Sequence, residues 1–482
     1  MRWPDLPAPV RMRRVALVAP ATGLRDLLVA VAGAGAVEID HGDHSSAVPG
    51  DAARRLQHAG RAAPAAALAD RRPDLEVLEQ AGRYDLLAGE AELESYAVCA
   101  TRHAGAAALA GWIPAGRLAE VTAWVADAGG AVVPLPRPAG TGAPTLLRGH
   151  GMRRSVSTLV QTYGTVPYAD VDPAWLAWAS YVLMFGMMFG DTGEGILLVG
   201  VAAALRGGWP RWARRFRRAW PFIGGAGLAA AVFGLLYGEF FGPTGLLPAV
   251  WLEPLSQPDT LLLAAVGVGA VLLAGAYVLG IVNRWREGGW AASLYAPSGI
   301  AGAGLFLGIG LSAAGWYAHQ LALLGAGALV AAAALSAALA GFLAAAGGGG
   351  AGLVQALVEL GDMVVRLGSN LVSFTRLAAF GLTHAALGLL VWEGTRALWH
   401  RGGAFTAAAV AVFLAGTLLA FSLEALVAAI QALRLEYYEL FSRVFVDQGR
   451  PFRPWHLPVL HQPDEGVKHE SAELSVRGAT TW

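Results

Sequence analysis

The sequence predicts an α-helical, polytopic membrane domain of about eight spans, preceded by a small α/β cytoplasmic domain. Three observations carry this. Of 482 residues, 55% are hydrophobic and only 15% charged, and the mean hydropathy is +0.49, which is more apolar and less charged than an ordinary globular chain. No run of the ~20 apolar residues needed to cross a bilayer occurs before about residue 172. From Pro173 onward, long apolar runs follow one another with short polar breaks.

In residues 1–172, "RRVALVAP" and "AVEIDHG" read as short buried strands around the amphipathic "TGLRDLLVAVAGAG". "YAVCATR" followed by "AGRLAEVTAWVADAGGAVVPL" repeats the strand, helix, strand cadence. An α/β sandwich of ferredoxin-like cast is expected. Between these units, residues 51–95 have helical spacing, as in "DLEVLEQAGRYDLLAGEAELES", and read as packing helices or a short helical hairpin. "RMRRVALVAPA" imitates a signal peptide, but its apolar run is shorter than the usual ~7 to 15 residues and quickly meets Arg25 and Asp26. It is read as a mature cytosolic strand. The single cysteine, Cys99, leaves no intramolecular disulfide and no thiolate metal cluster. Lys+Arg and Asp+Glu balance at 35 each, so no basic surplus points to nucleic acid.

Across 173–447, spans are predicted near 174–190, 191–206, 219–241, 259–282, 293–313, 319–345, 367–392 and 405–434. The first two share one apolar run with "GDTGEG" in its middle, long enough to be a single tilted helix. Charge favours two. "RGGWPRWARRFRR" carries six arginines and belongs in the cytoplasm by the positive-inside rule. The soluble half ending in "GMRRS" is most simply cytoplasmic too, so an even number of crossings separates them and "GDTGEG" becomes a hairpin turn. The same count leaves "NRWREGG" inside, "GPTGLLPAVWLEPLSQPD" outside and the tail 448–482 cytoplasmic. The Ala/Gly-rich region 325–352 ends in "AAAGGGGAG", read as a flexible cytoplasmic linker.

The polar residues of the last two spans are not scattered. At ~100° per residue, Ser369, Ser373, Arg376 and Thr383 fall within roughly 80° of one another, with His384 beside that stripe. On the final span Glu424, Gln431 and Arg434 share a similar sector. A guanidinium cannot shed its charge in a protein, and holding it mid-membrane costs at least ~2.5 to 3.5 kcal/mol. One reading of Arg376 is a packing arginine paired with Glu424, or one that snorkels to the interface. The other is a functional cation facing a mobile carboxylate or an aqueous cleft. Its central position, with "LAAFGLTHAALGLLVW" still to follow, weighs against snorkelling. Glu424 is a carboxylate deep in an apolar helix, in register with two other polar groups. His384 either is simply hydrogen-bonded or lines a proton path. Asp191 and Glu194 in "MMFGDTGEG" either cap a tight intramembrane turn or touch an aqueous vestibule.

Several segments, in order, carry a resemblance: "RRVALVAP", "GWIP", "APTLLRG", "VQTYGTVPYADVDPAW", "MFGMMFGDTGEGILL", "FGLLYGEFFG", "SNLVSFTRLAAFGLTHAAL" and "LEALVAAIQALRLEYYELFSRVF". Together they resemble the membrane stator subunit of rotary V/A-type ATPases, called subunit a in vacuolar enzymes and subunit I in archaeal and bacterial ones. The resemblance implies eight membrane helices, the last two long, tilted and pressed against a rotating proteolipid c/K-type ring. It implies that Arg376 faces the ring's ion-binding carboxylates, that Arg434 is a second cation near it, and that Glu424 and Gln431 line the outer half-channel. His384 matches a histidine of vacuolar-type relatives. The implied partners are the ring, the peripheral stalk subunits, the catalytic ATPase head reached through those stalks, and the lipid bilayer.

Physics adds to the resemblance. A fixed cation favours the ionised state of a nearby carboxylate, so each ring site loses its ion on arrival and ions must travel around with the ring. Helix direction puts the cytoplasmic entrance near Asp362 and Asn370, and the outer one near His384 and Glu424. Departures are visible too. Relatives carry two α/β lobes at the ends of a coiled coil, whereas the region before the membrane here resembles the membrane-proximal lobe, with 51–95 as a stub of the connecting helices. Glu436 stands where many relatives place a histidine. No cofactor is expected, and the chain has no P-loop of the G-x-x-x-x-G-K-[ST] type, so a non-catalytic subunit is expected. The translocated ion is H⁺ (or Na⁺), a choice set by the ring carboxylate's surroundings on another chain, and the Ala- and Arg-rich usage suggests a bacterial plasma membrane. Two competing classes remain: a stand-alone ion transporter, which predicts inverted repeats not found here, and a divergent scaffold that binds a membrane partner without conducting.

Overall fold

The computed structural model describes residues 9–40, 49–60, 65–136, 142–147, 164, 167–168, 170–347, 349–444 and 449–460. "GMRRS", the start of "VQTYGTVPYADVDPAW", the end of "APTLLRG" and the tail beyond 460 lie outside them. The chain forms two compact units: Val10–Leu146 with the segment from Arg450, and Leu147–Gly449.

The first unit runs β1 (Met12–Pro20), α1 (Leu24–Ala34), β2 (Glu38–Ile39), α2 (Asp51–Ala59), β3 (Leu68–Ala69), α3 (Leu75–Gln80), α4 (Tyr84–Val98), β4 (Thr101–His103), β5 (Ala106–Pro114), α5 (Leu118–Asp127) and β6 (Ala131–Pro134). Its main sheet has the order β2-β5-β1-β6, with β4 paired to β5, and every pairing is antiparallel. Two interleaved βαβ units give this order, which is that of a ferredoxin-like sheet. Val15, Leu17 and Ala19 alternate inward from β1 to meet Leu27, Leu28, Val121 and Val125 of the helices.

Two local expectations fail here. Most of "YAVCATR" is not strand: α4 continues through Val98, because Leu86, Leu87 and Leu93 keep a helical face buried, and only Thr101 and Arg102 enter β4. The strand missed is β5, whose "AAALAGWIP" is poor in β-branched residues and is held by pairing with β1, β2 and β4 rather than by propensity. Residues 450–460, read as part of a separate tail, belong to this unit. Trp455 packs on Tyr96 with ring centroids 4.3 Å apart and donates to Glu92 at 2.8 Å, and β7 (Val459–Leu460) pairs in parallel with β3.

The second unit is helical: α6 (Ala174–Met188), α7 (Thr192–Gly207), α8 (Trp220–Tyr237), α9 (Pro258–Tyr295, broken at Gly289), α10 (Ile300–Tyr317), α11 (Leu321–Ala345), α12 (Gly349–Ser373), α13 (Thr375–Trp399), α14 (Ala404–Leu435), a π-helical turn over Glu436–Phe441, and α15 (Ser442–Val444). Six segments are long and apolar enough to cross a membrane: Phe216–Tyr237, Pro258–Glu287, Gly289–Tyr317, Leu321–Ala345, Gly349–Trp399 and Ala404–Val444. At 15 and 16 residues, α6 and α7 fall short of a full span by length alone. The "AAAGGGGAG" linker is also shorter than expected: α11 ends at Ala345 and α12 begins at Gly349, with Gly347 and Gly349 at positive φ.

Small residues set how these helices approach. A Cβ at Gly195 would collide with the Ala231 backbone, and one at Gly234 with the Thr192 backbone. Helix α8 therefore lies tight on the α6–α7 hairpin, which is the close approach that small residues permit in lipid. The break between α12 and α13 falls at Phe374, a wholly buried ring seated where Gly269 of α9 leaves a notch. Arg376 is thus positioned two residues beyond an anchored side chain.

Filling that notch gives a direct test. Gly269→Val is expected to evict Phe374 at a cost of about 1–3 kcal/mol, typical of overpacking. The melting temperature of the purified chain in lipid should fall, while Gly267→Val, where a Cβ meets nothing, should leave it nearly unchanged.

Candidate functional site

The hairpin turn "GDTGEG" builds one wall of the site. Asp191 caps α7, its Oδ1 accepting from the Glu194 N–H at 2.9 Å, while its Oδ2 accepts from the Gly242 N–H at 2.7 Å. Of the two roles left open for this pair the structure shows the cap, made by Asp191, while Glu194 lines a small cleft with Gly242, His384, Gly388, Thr417 and Glu424. The second wall is the loop after α8, where Gly238, Phe241 and Gly242 all take positive φ. Phe241, at φ 50, carries strain of the kind that costs on the order of 1–3 kcal/mol. Asp191's hold on Gly242 and the close seat of Gly242 against Gly388 keep the loop there. This loop delivers Glu239, a buried carboxylate whose backbone oxygen accepts from Thr192 at 3.1 Å.

The third wall comes from α13 and α14, which pack against each other. His384 is buried, with Phe189 beside its ring at 4.8 Å between centroids. Its Nδ1 bonds Glu424 Oε2, and its Nε2 faces Glu239 Oε2 at 4.0 Å. Against an ionised Glu424, which only accepts, Nδ1 must carry the proton. The imidazole then stands between two carboxylates, able to take a proton on one nitrogen and release it from the other. Four carboxylates, Asp191, Glu194, Glu239 and Glu424, converge on one histidine.

The packing reading of Arg376 is set aside by this geometry: Glu424 pairs with His384, and among the described residues no carboxylate pairs with Arg376. The arginine is half-buried, and its Nη1 is enclosed without a hydrogen-bond partner. It lies eight residues before His384, about 12 Å along the helix. Gln431 is half-buried with its Oε1 unpartnered, and Arg434 is exposed. Leu423, Val427 and Ile430 are exposed as well, and with Arg434 they form one stripe along α14. Only 6% of the apolar window of Ala404–Val444 is buried within the chain.

Near the C-terminal end of α12 a second polar group assembles. With its amide nitrogen toward Glu439 Oε2 (3.1 Å) and its oxygen toward the Arg443 guanidinium (3.2 Å), Asn370 satisfies both. Arg443 also lies over the Tyr277 ring at 5.7 Å, and Glu436 accepts the Ser180 hydroxyl. Ser369 and Ser373 stay on the helix, Ser373 Oγ donating to the Ser369 carbonyl at 3.0 Å. Asp362 is not drawn into this group. It forms an exposed ion pair with Arg366 at 2.6 Å.

Reading the sequence missed Glu239, Glu439 and Arg443. Glu439 and Arg443 follow Glu436 at i+3 and i+7, a spacing legible as one helical face. Glu239 had a weaker signal, a lone acid closing the apolar helix in "LLYGEFF".

Comparison with known proteins places these segments in context. The V-type ATPase 116kDa subunit family matches residues 97–219. The A-type ATP synthase subunit I of Thermococcus kodakarensis is 26% identical over 330 residues, covering 65% of this chain and 47% of the relative. That of Archaeoglobus fulgidus is 26% identical over 407 residues, covering 72% and 58%. The V-type ATP synthase subunit I 2 of Treponema pallidum is 38% identical over 94 residues, 20% of this chain and 21% of its own length. The chain spans about half the length of the Thermococcus kodakarensis and Archaeoglobus fulgidus relatives it matches.

Asp191→Ala is expected to remove the α7 cap, worth about 1 kcal/mol, and to release the loop bearing Glu239. Hydrogen exchange should quicken at both the Glu194 and the Gly242 amides, whereas Asp191→Asn should protect Glu194 largely as before. Unchanged exchange at Gly242 in Asp191→Ala would remove the argument that this carboxylate places Glu239.

Proposed function

We propose that this chain, which belongs to the subunit a/I family of V/A-type ATPases, is the membrane stator that forms two ion half-channels against a rotating proteolipid ring and couples H⁺ or Na⁺ movement to rotation. One observation carries the reading. Arg376 and Arg434 sit on an apolar helix pair, and among the described residues neither has a carboxylate partner, while the stripe bearing Arg434 is left uncovered by the chain itself. Cations so placed at membrane depth call for a negative group from outside the chain, and ring carboxylates passing one after another meet that need.

The proposed mechanism follows from charge. Arg376 stabilises the ionised form of each arriving carboxylate and expels its ion. A carboxylate still carrying its ion avoids the arginine and exchanges only with the aqueous side it faces. Glu424, His384 and Gln431, with Glu239, Glu194 and Asp191 behind them, make the outer half-channel. Asn370, Ser369 and Ser373, with Glu439 and Arg443 beyond, make the cytoplasmic one, Asp362 marking its mouth. Each ion gains ~2.3 kcal/mol per 100 mV, summed over the ions of a turn. In this reading α6 and α7 complete a count of eight crossings as a short paired hairpin, both termini are cytoplasmic, and the α/β unit meets the peripheral stalks. ATP chemistry belongs to the catalytic head of the complex. A scaffold that binds the ring without conducting gives no use to unpartnered carboxylates around a buried histidine.

The test is ATP-driven ion uptake by the assembled complex in vesicles, wild type against Arg376→Gln. Uptake is expected to drop to background while ring and stalk subunits stay bound and ATP hydrolysis by the soluble head persists. Continued uptake in Arg376→Gln would remove the half-channel assignment.

A further inference from the structure

We propose that Asp191, Glu239 and His384 form a binding site for one divalent transition-metal ion of the Zn²⁺ class. One ligand atom from each of these buried residues lies within 4.8 Å of the others. The acids alone would not mark a site, but two further features aim at a ligand. Glu239 and Glu194 are 3% and 4% exposed, and the Oε2 atom of each lacks a hydrogen-bond partner among the described residues. Glu239 Oε2 faces His384 Nε2 at 4.0 Å, and Glu194 lines the same cleft.

The histidine is also set for ligation. Nδ1 donates to Glu424, which leaves the Nε2 lone pair toward Glu239, and a carboxylate on the far nitrogen is the usual companion of a metal-bound histidine. Asp191 is held by the Glu194 and Gly242 amides, one to each oxygen, and each oxygen keeps a further lone pair. Two ionised carboxylates balance a 2+ ion, which lowers the cost of burying them. Imidazole with carboxylates suits Zn²⁺, Co²⁺ or Cu²⁺, whereas Mg²⁺ asks for octahedral oxygen and keeps its water. Zinc bonds of about 2 Å need the ligand atoms closer than they stand, so side-chain shifts of about 1 Å complete the site. Glu194 or water supplies a fourth ligand. The consequence rests on the half-channel reading: an ion on Nε2, with Nδ1 still donating to Glu424, leaves His384 no free nitrogen and halts its proton relay.

Binding can be tested without ring or ATP, on the purified full-length chain in lipid nanodiscs with Co²⁺ as the probe. One Co²⁺ per chain with a low-coordinate visible spectrum is expected, displaced by Zn²⁺ and not by Mg²⁺. Glu239→Gln and His384→Gln should lose the spectrum, and Glu424→Gln should weaken binding about 10–100-fold. Melting curves guard against misfolding, since Zn²⁺ should raise the melting temperature of wild type and not of Glu239→Gln. No saturable Co²⁺ binding, or a spectrum unchanged in both ligand variants, overturns the site and leaves the stator reading to the uptake measurement.

Discussion

A guanidinium held in hydrocarbon constrains everything around it, because it can neither lose its proton nor reach water without moving the helix that carries it. Arg376 is fixed from behind by Phe374, whose ring is locked against Gly269, so the charge cannot retreat. It is not neutralised from within either, since the nearest candidate on α14, Glu424, is committed to His384. On the proposed reading, what remains is an electrostatic demand directed out of the chain. The sparse burial of α14 leaves room for a partner to meet that demand.

The acidic cluster has the opposite character. Carboxylates from α7, the loop after α8 and α14 are gathered on one buried histidine. Asp191 makes this geometry durable: a single side chain caps a helix and holds a strained loop. Small residues in the α6–α7–α8 contact do the remaining work of bringing three backbones together. The site is therefore as much a product of glycines as of acids.

Much of this was legible in the sequence, and the reasons for the rest are physical. Arg376, His384 and Glu424 announce themselves because a polar group in an apolar run has a cost that periodicity can locate. The α/β character of the first unit was readable because hydrophobic alternation in β1 and helical spacing in α1 and α5 both agree with it. Strand β5 was not, since its alanines carry no β signal and only pairing selects them. Glu239 was hidden because it meets His384 through tertiary contact, 145 positions apart in the chain. The partner of Asp362 was open to the same reading: Arg366 stands one turn on, and the two pair on an exposed face.

The central claim is that the uncovered stripe of α14 faces a moving row of carboxylates. Disulfide trapping measures this most directly, in the assembled complex with Cys99 replaced by serine, pairing a cysteine at Val427 or Ile430 with one beside the ion-binding carboxylate of the ring helix. The account predicts rapid cross-links from both positions that stop rotation and reverse on reduction, and none from the buried Ala428 or Ala432. Cross-links absent from Val427 and Ile430 in a complex that still pumps would contradict it.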